Sequence, residues 1–183
     1  MRQSTEVKRR YLEAEFSFVL IAFLCALPVA SWAVMEGLTT EYLTRSSDLV
    51  VSGDVESATA KWSDDGKTIF TTAIVVVTEV IKGQPGSQKV DVEYPGGEVG
   101  DIGLRVSDEP VMKKGEKVVL FLKRGIKPIE KNKYKLVGKG QGKYSIGSDG
   151  VARKEGFSLV EDTKQIDTEI PIDALIEKIR RVK

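Results

Sequence analysis

The sequence predicts a mainly β protein, a small antiparallel barrel with a short N-terminal helix and an amphipathic C-terminal helix packed on it. Three observations carry this prediction. Runs rich in Val, Ile, Thr and aromatic residues recur, with Gly, Asp, Ser and Pro turn signals about every 8 to 12 residues. Only two modest helical patterns interrupt them. No alternation of strands with long helices is present, which removes a parallel α/β sheet.

The elements follow in order. "TTEYLTRSSD" (39–48) reads as one short helix closed by serines. In "LVVSGDVESATAKW" (49–62), Val51, Gly53 and Val55 alternate with Val50, Ser52 and Asp54, the pattern of a half-buried strand. Gly53 within it marks a bulge or sharp coil. "SDDGK" (63–67) is a turn. "TIFTTAIVVVTEVIKG" (68–83) is the longest strand candidate, and its unbroken "AIVVV" requires a cover on both faces, a role assigned to the last helix. "KVDVEY" (89–94) puts Val90, Val92 and Tyr94 on one side, and "LRVSD" reads as a short strand. "KKGEKVVLFLKRG" (113–125) is a turn and a strong strand, followed by shorter strands in "KYKLVG", "GKYSIG" and "GVARKEG". In the final "IPIDALIEKIRRVK", Ile172, Leu175, Ile176, Ile179 and Val182 form one helical stripe, with Asp173 and Arg180–Arg181 matching the two ends of the helix dipole. A long coiled strand after a glycine-bearing first strand resembles the OB arrangement.

Ahead of this domain, Arg2, Lys8, Arg9 and Arg10 precede the apolar run "FSFVLIAFLCAL" (16–27), and Pro28 breaks it. Ser31 and Ala33 occupy the two small-residue positions a signal peptidase reads, so cleavage is expected between Ala33 and Val34. Residues 16–35 are also long enough to span about 30 Å of hydrocarbon as a retained anchor. Either way 1–33 is a signal peptide or anchor and 34–183 an exported domain, periplasmic or extracellular, or held outside the inner membrane. The membrane would be met only through 16–35. Cys25 lies inside the apolar run behind Leu24, which is too bulky for lipoprotein cleavage.

Composition excludes several chemistries. The chain has 183 residues, no histidine and one cysteine, which removes His-based triads, His-ligated metals and thiolate zinc sites. Setting aside 1–33, with four basic and three acidic side chains, takes the balance from 28 against 27 to 24 against 24. A neutral domain has no overall field for nucleic acid, and none is expected as a partner. The lysines of 121–143 are expected to guard a solvated strand edge, with an anion-binding face as the alternative.

Two glycine-rich stretches, "YPGGEVGDIG" (94–103) and "GKGQGKYS" (138–145), invite a phosphate-loop reading. The second has three residues between Gly138 and Gly142 where a Walker loop needs four, and Tyr144 stands in place of the hydroxyl. The first has no lysine and carries Glu98 and Asp101. Neither joins a strand to a long helix. Strand reversal is the expectation, and no cofactor is implied. If a ligand or partner is held by loops, Gly96, Gly97, Gly100 and Gly103, with Gln141, Gly142 and Lys143, are the candidates. Asp64–Asp65, Asp48 and Asp54 fit turn chemistry better than a calcium loop. Lys143 and Ser145 share a strand face, a minimal Ser-Lys arrangement. Trp62, Phe70, Tyr94, Phe121, Tyr134 and Tyr144 lie on strands, as core residues or as a ring-bearing ligand face.

Taken together, "RSSDLVVSGDVES", "TEVIKGQPGSQKVDVEYPGGEVGDIGLRVSDEP", "KKGEKVVLFL" and "LVGKGQGKYSI" resemble a family of small exported bacterial domains of unknown function, over most of 40–182. The resemblance implies an exported β-rich domain and supplies no catalytic residues. "SDLVV" and "VTEVIKG" also resemble the netrin-like OB fold of metalloprotease inhibitors, which place an N-terminal cysteine at the protease zinc; Val34 would stand there in this chain. The expected function is a non-enzymatic binding domain of the cell envelope, its partner a protein or an envelope polymer. The alternatives are a regulator of a secreted protease and a carboxylate-based hydrolase.

Overall fold

The computed structural model describes residues 36–125, 132–155 and 166–182. The expected cleavage site at Ala33–Val34, Cys25 and the apolar run all lie outside the described residues. The described residues all belong to the second of the two units into which the chain divides, Val34–Lys183.

The second unit is a closed five-stranded barrel with two helices. Its strands are β1 (Leu49–Trp62), β2 (Ile69–Lys82), β3 (Lys89–Pro95), β6 (Lys117–Arg124) and β7 (Lys133–Leu136). They pair in the ring β1-β2-β3-β7-β6-β1. All of these pairings are antiparallel except β3 with β7. This is the OB-like arrangement expected from the sequence. A small hairpin, β4 (Gly97–Val99) and β5 (Ile102–Leu104), follows β3. β8 (Lys143–Ile146) continues past β7 along the same side of β6, after a 3₁₀ turn at Lys139–Gly142. β9 (Val151–Arg153) and β10 (Glu169–Pro171) extend the sheet from β8. Helix α1 (Thr40–Ser46) precedes β1, and α2 (Ile172–Arg181) ends the chain.

Closure depends on β1 serving two neighbours. Its full length pairs with β2, while Leu49–Asp54 also pairs with Leu122–Lys117 of β6. Register shifts at Val50/Val51, Ser52/Gly53 and Val55/Ser57 coil the strand enough to do both. Gly53 is required there, because a Cβ would lie 2.4 Å from the Val76 carbonyl oxygen.

The alternation of β-strands sorts residues into two cores. Leu49, Val51, Val55, Ala73, Val75, Val90, Val92, Leu120 and Leu122 fill the barrel. Val50, Val119, Phe121, Tyr144 and Ala152 face outwards and are sealed by Leu43 of α1 and by Leu175 and Ile179 of α2. Burying Leu175 and Ile179 is worth about 1.5–3 kcal/mol each. The strand wetted on neither face is therefore "VVLFL" (118–122), whose five side chains are all fully buried. This corrects the placing of the last helix over "AIVVV". Ala73 and Val75 point into the barrel, whereas Ile74 and Val76 face outwards and are half-buried. Helix α2 reaches β2 only near its far end, where Arg180 donates to Glu79 over 2.6 Å. "LRVSD" is likewise only partly strand: β5 ends at Leu104, and 105–116 is irregular chain leading to β6.

One polar atom in the barrel is anomalous. Tyr94 accepts a hydrogen bond at its hydroxyl from the Met112 amide at 3.2 Å, but the fully buried Tyr134 hydroxyl has no partner among the described residues. A buried hydroxyl without a partner costs about 1–3 kcal/mol. Tyr134→Phe is therefore expected to raise stability by about 1 kcal/mol, read as a higher urea midpoint with an unchanged slope. An equal or lower midpoint would show that the hydroxyl is satisfied in solution.

Candidate binding groove

The helices cover only one side of the barrel. On the other, the outward faces of β1, β2, β3, β7 and β6 line an open groove of about 1360 Å³. Register decides what it presents. Lys61 of β1 stands beside Phe70 of β2. Thr59, Thr72 and Glu93 form the next row across β1, β2 and β3. On the far side Lys123 of β6 lies directly opposite Lys135 of β7, with Lys133 two residues away. Trp62 and Asp64 close one end, where β1 turns into β2, and Tyr42 of α1 borders the groove. Trp62 is 42% exposed and Tyr42 53%, so both rings are available to a ligand.

The electrostatics are lopsided for a neutral domain. Five cations, Lys61, Lys123, Arg124, Lys133 and Lys135, line the groove with two carboxylates, Asp64 and Glu93. Lys133 approaches Glu93 at 4.0 Å. The Arg124 guanidinium donates to the Gln84 carbonyl at 2.9 Å. Lys61, Lys123 and Lys135 have no ion-pair partner among the described residues. Like charges directly opposite on neighbouring strands are destabilising. The pair Lys123–Lys135 is thus a cost the fold carries.

This arrangement corrects the edge-strand reading of the 121–143 lysines. β6 and β7 are both enclosed in the ring, β7 between β3 and β6, so they have no free edge to guard. Lys143, the last of the cluster, is buried elsewhere. The sequence signal was the alternation Lys133-Tyr134-Lys135, which puts the ring inside and both cations out.

None of the seven loop candidates lines the groove. Gly96 and Gly97 turn the chain from β3 into β4. The Gly96 amide donates to the Ile69 carbonyl at 2.8 Å, and its carbonyl accepts from the Thr71 hydroxyl at 2.6 Å. Gly97 has φ 124°, and a Cβ there would lie 2.4 Å from the Thr71 hydroxyl oxygen. Gly100 makes the β4–β5 turn and Gly103 lies on β5 opposite Glu98. Gln141 is 1% exposed; its amide donates to the Glu36 carbonyl at 2.9 Å and accepts from the Leu38 amide at 2.6 Å, pinning the segment before α1. Gly142 packs against the Val137 carbonyl, which a Cβ would approach to 2.2 Å. Lys143, itself buried, makes a 2.5 Å ion pair with the partly buried Glu116 and donates to the Val111 carbonyl at 3.0 Å. Ser145 donates to the same Glu116 carboxylate at 2.7 Å, so Lys143 and Ser145 are joined through an acid.

Of the acidic candidates, Asp65 and Asp48 serve the backbone. Asp65 accepts from the Ser63 hydroxyl at 2.6 Å and the Lys67 amide at 3.2 Å, and these bonds hold its carboxyl below the usual value. Asp48 accepts from the Arg124 amide at 2.9 Å, and Asp54 pairs in register with Val76 and Lys117. Among the described residues no group of three or more acidic or cysteine side chains could hold a metal ion, and no helix is long and apolar enough to cross a membrane.

A second polar cluster joins both helices to β8 and was not foreseen. Thr40 donates to Asp167 at 2.6 Å and lies 3.1 Å from the Tyr144 hydroxyl. Lys178 bridges Asp167 at 2.6 Å and Glu41 at 3.3 Å. Lys154 is 8% exposed; its ammonium sits 5.0 Å from the Tyr144 ring centre and donates to the Leu38 carbonyl at 3.2 Å. Burial lowers its pKa to about 8 and raises that of Tyr144.

No family model and no curated protein matches the sequence.

Proposed function

We propose that this chain is an exported, non-enzymatic binding domain of the cell envelope that holds its ligand in the groove opposite the helices. The observation that carries this reading is the asymmetry of the barrel wall. One side is sealed by two helices, while the other leaves rings and cations exposed over a concave sheet. OB-type barrels recognise extended polymers on this kind of face. Export rests on the leader in 1–33. The non-enzymatic reading rests on the missing histidine and on Lys143, whose ammonium is engaged by Glu116.

The test is an amide chemical-shift map of the full chain in mild detergent, titrated with fractionated envelope glycans and proteins. Shifts are expected to concentrate at Thr59, Phe70, Thr72 and Lys135. Shifts confined to Gly96–Gly103 or to the helix-covered side would overturn the groove as the site. So would the absence of any saturable shift.

A further inference from the structure

The charge pattern of the same groove specifies a ligand class, an inference that rests on the binding reading above. We propose that the groove binds a linear polysaccharide bearing carboxylates, with Lys123 and Lys135 on the acid groups and Phe70 and Trp62 against the sugar rings.

The argument begins with the cost of the lysine pair. Lys123 and Lys135 are directly opposed in the middle of a closed ring, and neither makes an ion pair among the described residues. An anion between them converts the repulsion into two attractive contacts. Lys61 places a further cation across the groove, beside the half-buried Phe70 ring. A ligand spanning both sides must be extended and carry more than one negative charge.

The remaining lining separates a glycan from a nucleic acid. Glu93 lies on the central row of the groove, between Thr72 and the lysine side, and Asp64 lies at its end. Carboxylates accept hydrogen bonds from the many hydroxyls of a sugar chain, hydroxyl donors that a DNA strand lacks. Thr59, Thr72 and Ser63 add hydroxyl partners. Rings with adjacent cations suit a saccharide whose apolar face stacks while its acid group turns towards a lysine.

The test uses the full chain in mild detergent and three probes of equal length: an oligouronate, a neutral oligoglucan and single-stranded oligo-dT. Calorimetry at low and at physiological ionic strength is expected to show saturable binding of the oligouronate, weaker at the higher salt. The Lys123→Gln/Lys135→Gln variant is expected to bind it about tenfold more weakly, the equivalent of about 1.4 kcal/mol, while being no less stable to urea than the parent. Lys117→Gln, away from the groove, serves as the matched control and should bind as the parent does. Equal affinity for the oligoglucan, with no effect of the double variant, would overturn the acidic-glycan assignment and leave the groove reading in place. Preference for oligo-dT would replace it with nucleic-acid binding. Failure of all three probes also refutes the assignment, whereas the groove itself stands or falls on the chemical-shift map.

Discussion

Replacing Glu116 by alanine is expected to destabilise the folded protein by about 3–5 kcal/mol, the largest single effect foreseen here. Glu116 lies just before β6, and its carboxylate is the acidic partner of Lys143, whose side chain is 6% exposed. It also accepts from the Ser145 hydroxyl and from the Lys113 amide at 3.0 Å. Without it, the buried ammonium keeps one neutral partner, the Val111 carbonyl. Removing one member of a buried ion pair costs more than removing both, because the survivor remains desolvated and uncompensated. Glu116→Leu combined with Lys143→Met should therefore recover most of the loss. In thermal unfolding the single variant should melt about 10 °C below the parent. If single and double variants fall equally, the pair is not a coupled unit and Lys143 has solvent access that the geometry denies.

That pair also shows what the sequence could and could not reveal. The shared strand face of Lys143 and Ser145 was legible from their spacing of two. Glu116, 27 positions away in sequence, becomes their common partner only because β8 lies beside β6. Local pattern was informative wherever one strand or helix decided the outcome. Val90, Val92 and Tyr94 do face the core, Gly53 does sit at a register shift, and Leu175 and Ile179 are the buried stripe of the last helix. Pairing between distant segments was not legible. Nothing near Leu49–Asp54 announces that it closes the ring with β6, or that β3 and β7 run parallel. The lysines at 123, 133 and 135 changed meaning for this reason. Their alternation was visible, but edge protection needs a free strand edge, and only the pairing of β7 with β3 and β6 shows that there is none. The helix cover was misplaced because "AIVVV" and "VVLFL" are equally apolar in sequence, and only the positions of α1 and α2 distinguish them.

Stability should rise with pH between about 8 and 10, by roughly 2 kcal/mol, and Lys154 is the cause. Its pKa is lowered from 10.5 to about 8 by burial. Below that value the folded protein must hold a buried ammonium, facing Tyr144 and the Leu38 carbonyl, with Asp167 and Lys178 as the nearby charges. Between the folded and unfolded values the unfolded chain binds the proton that the folded chain has released, so raising the pH favours folding. The full difference amounts to about 3 kcal/mol, present only above the unfolded value. The rise is cut short near pH 10 by groups of opposite sign. Burial raises the Tyr144 and Tyr94 pKa values above 10.0, and Asp167 raises that of Lys178 above 10.5 against the opposing effect of burial. Each favours the folded state at lower pH and loses that contribution as the pH climbs through its folded value. Lys154→Met removes the rising limb while keeping an unbranched chain in the same space. The variant should be about 2 kcal/mol more stable than the parent at pH 7, with the two converging towards pH 10. Urea midpoints across this range decide the matter: a parent curve that is flat from 8 to 10, or a variant that keeps the same slope, would place the titrating group elsewhere.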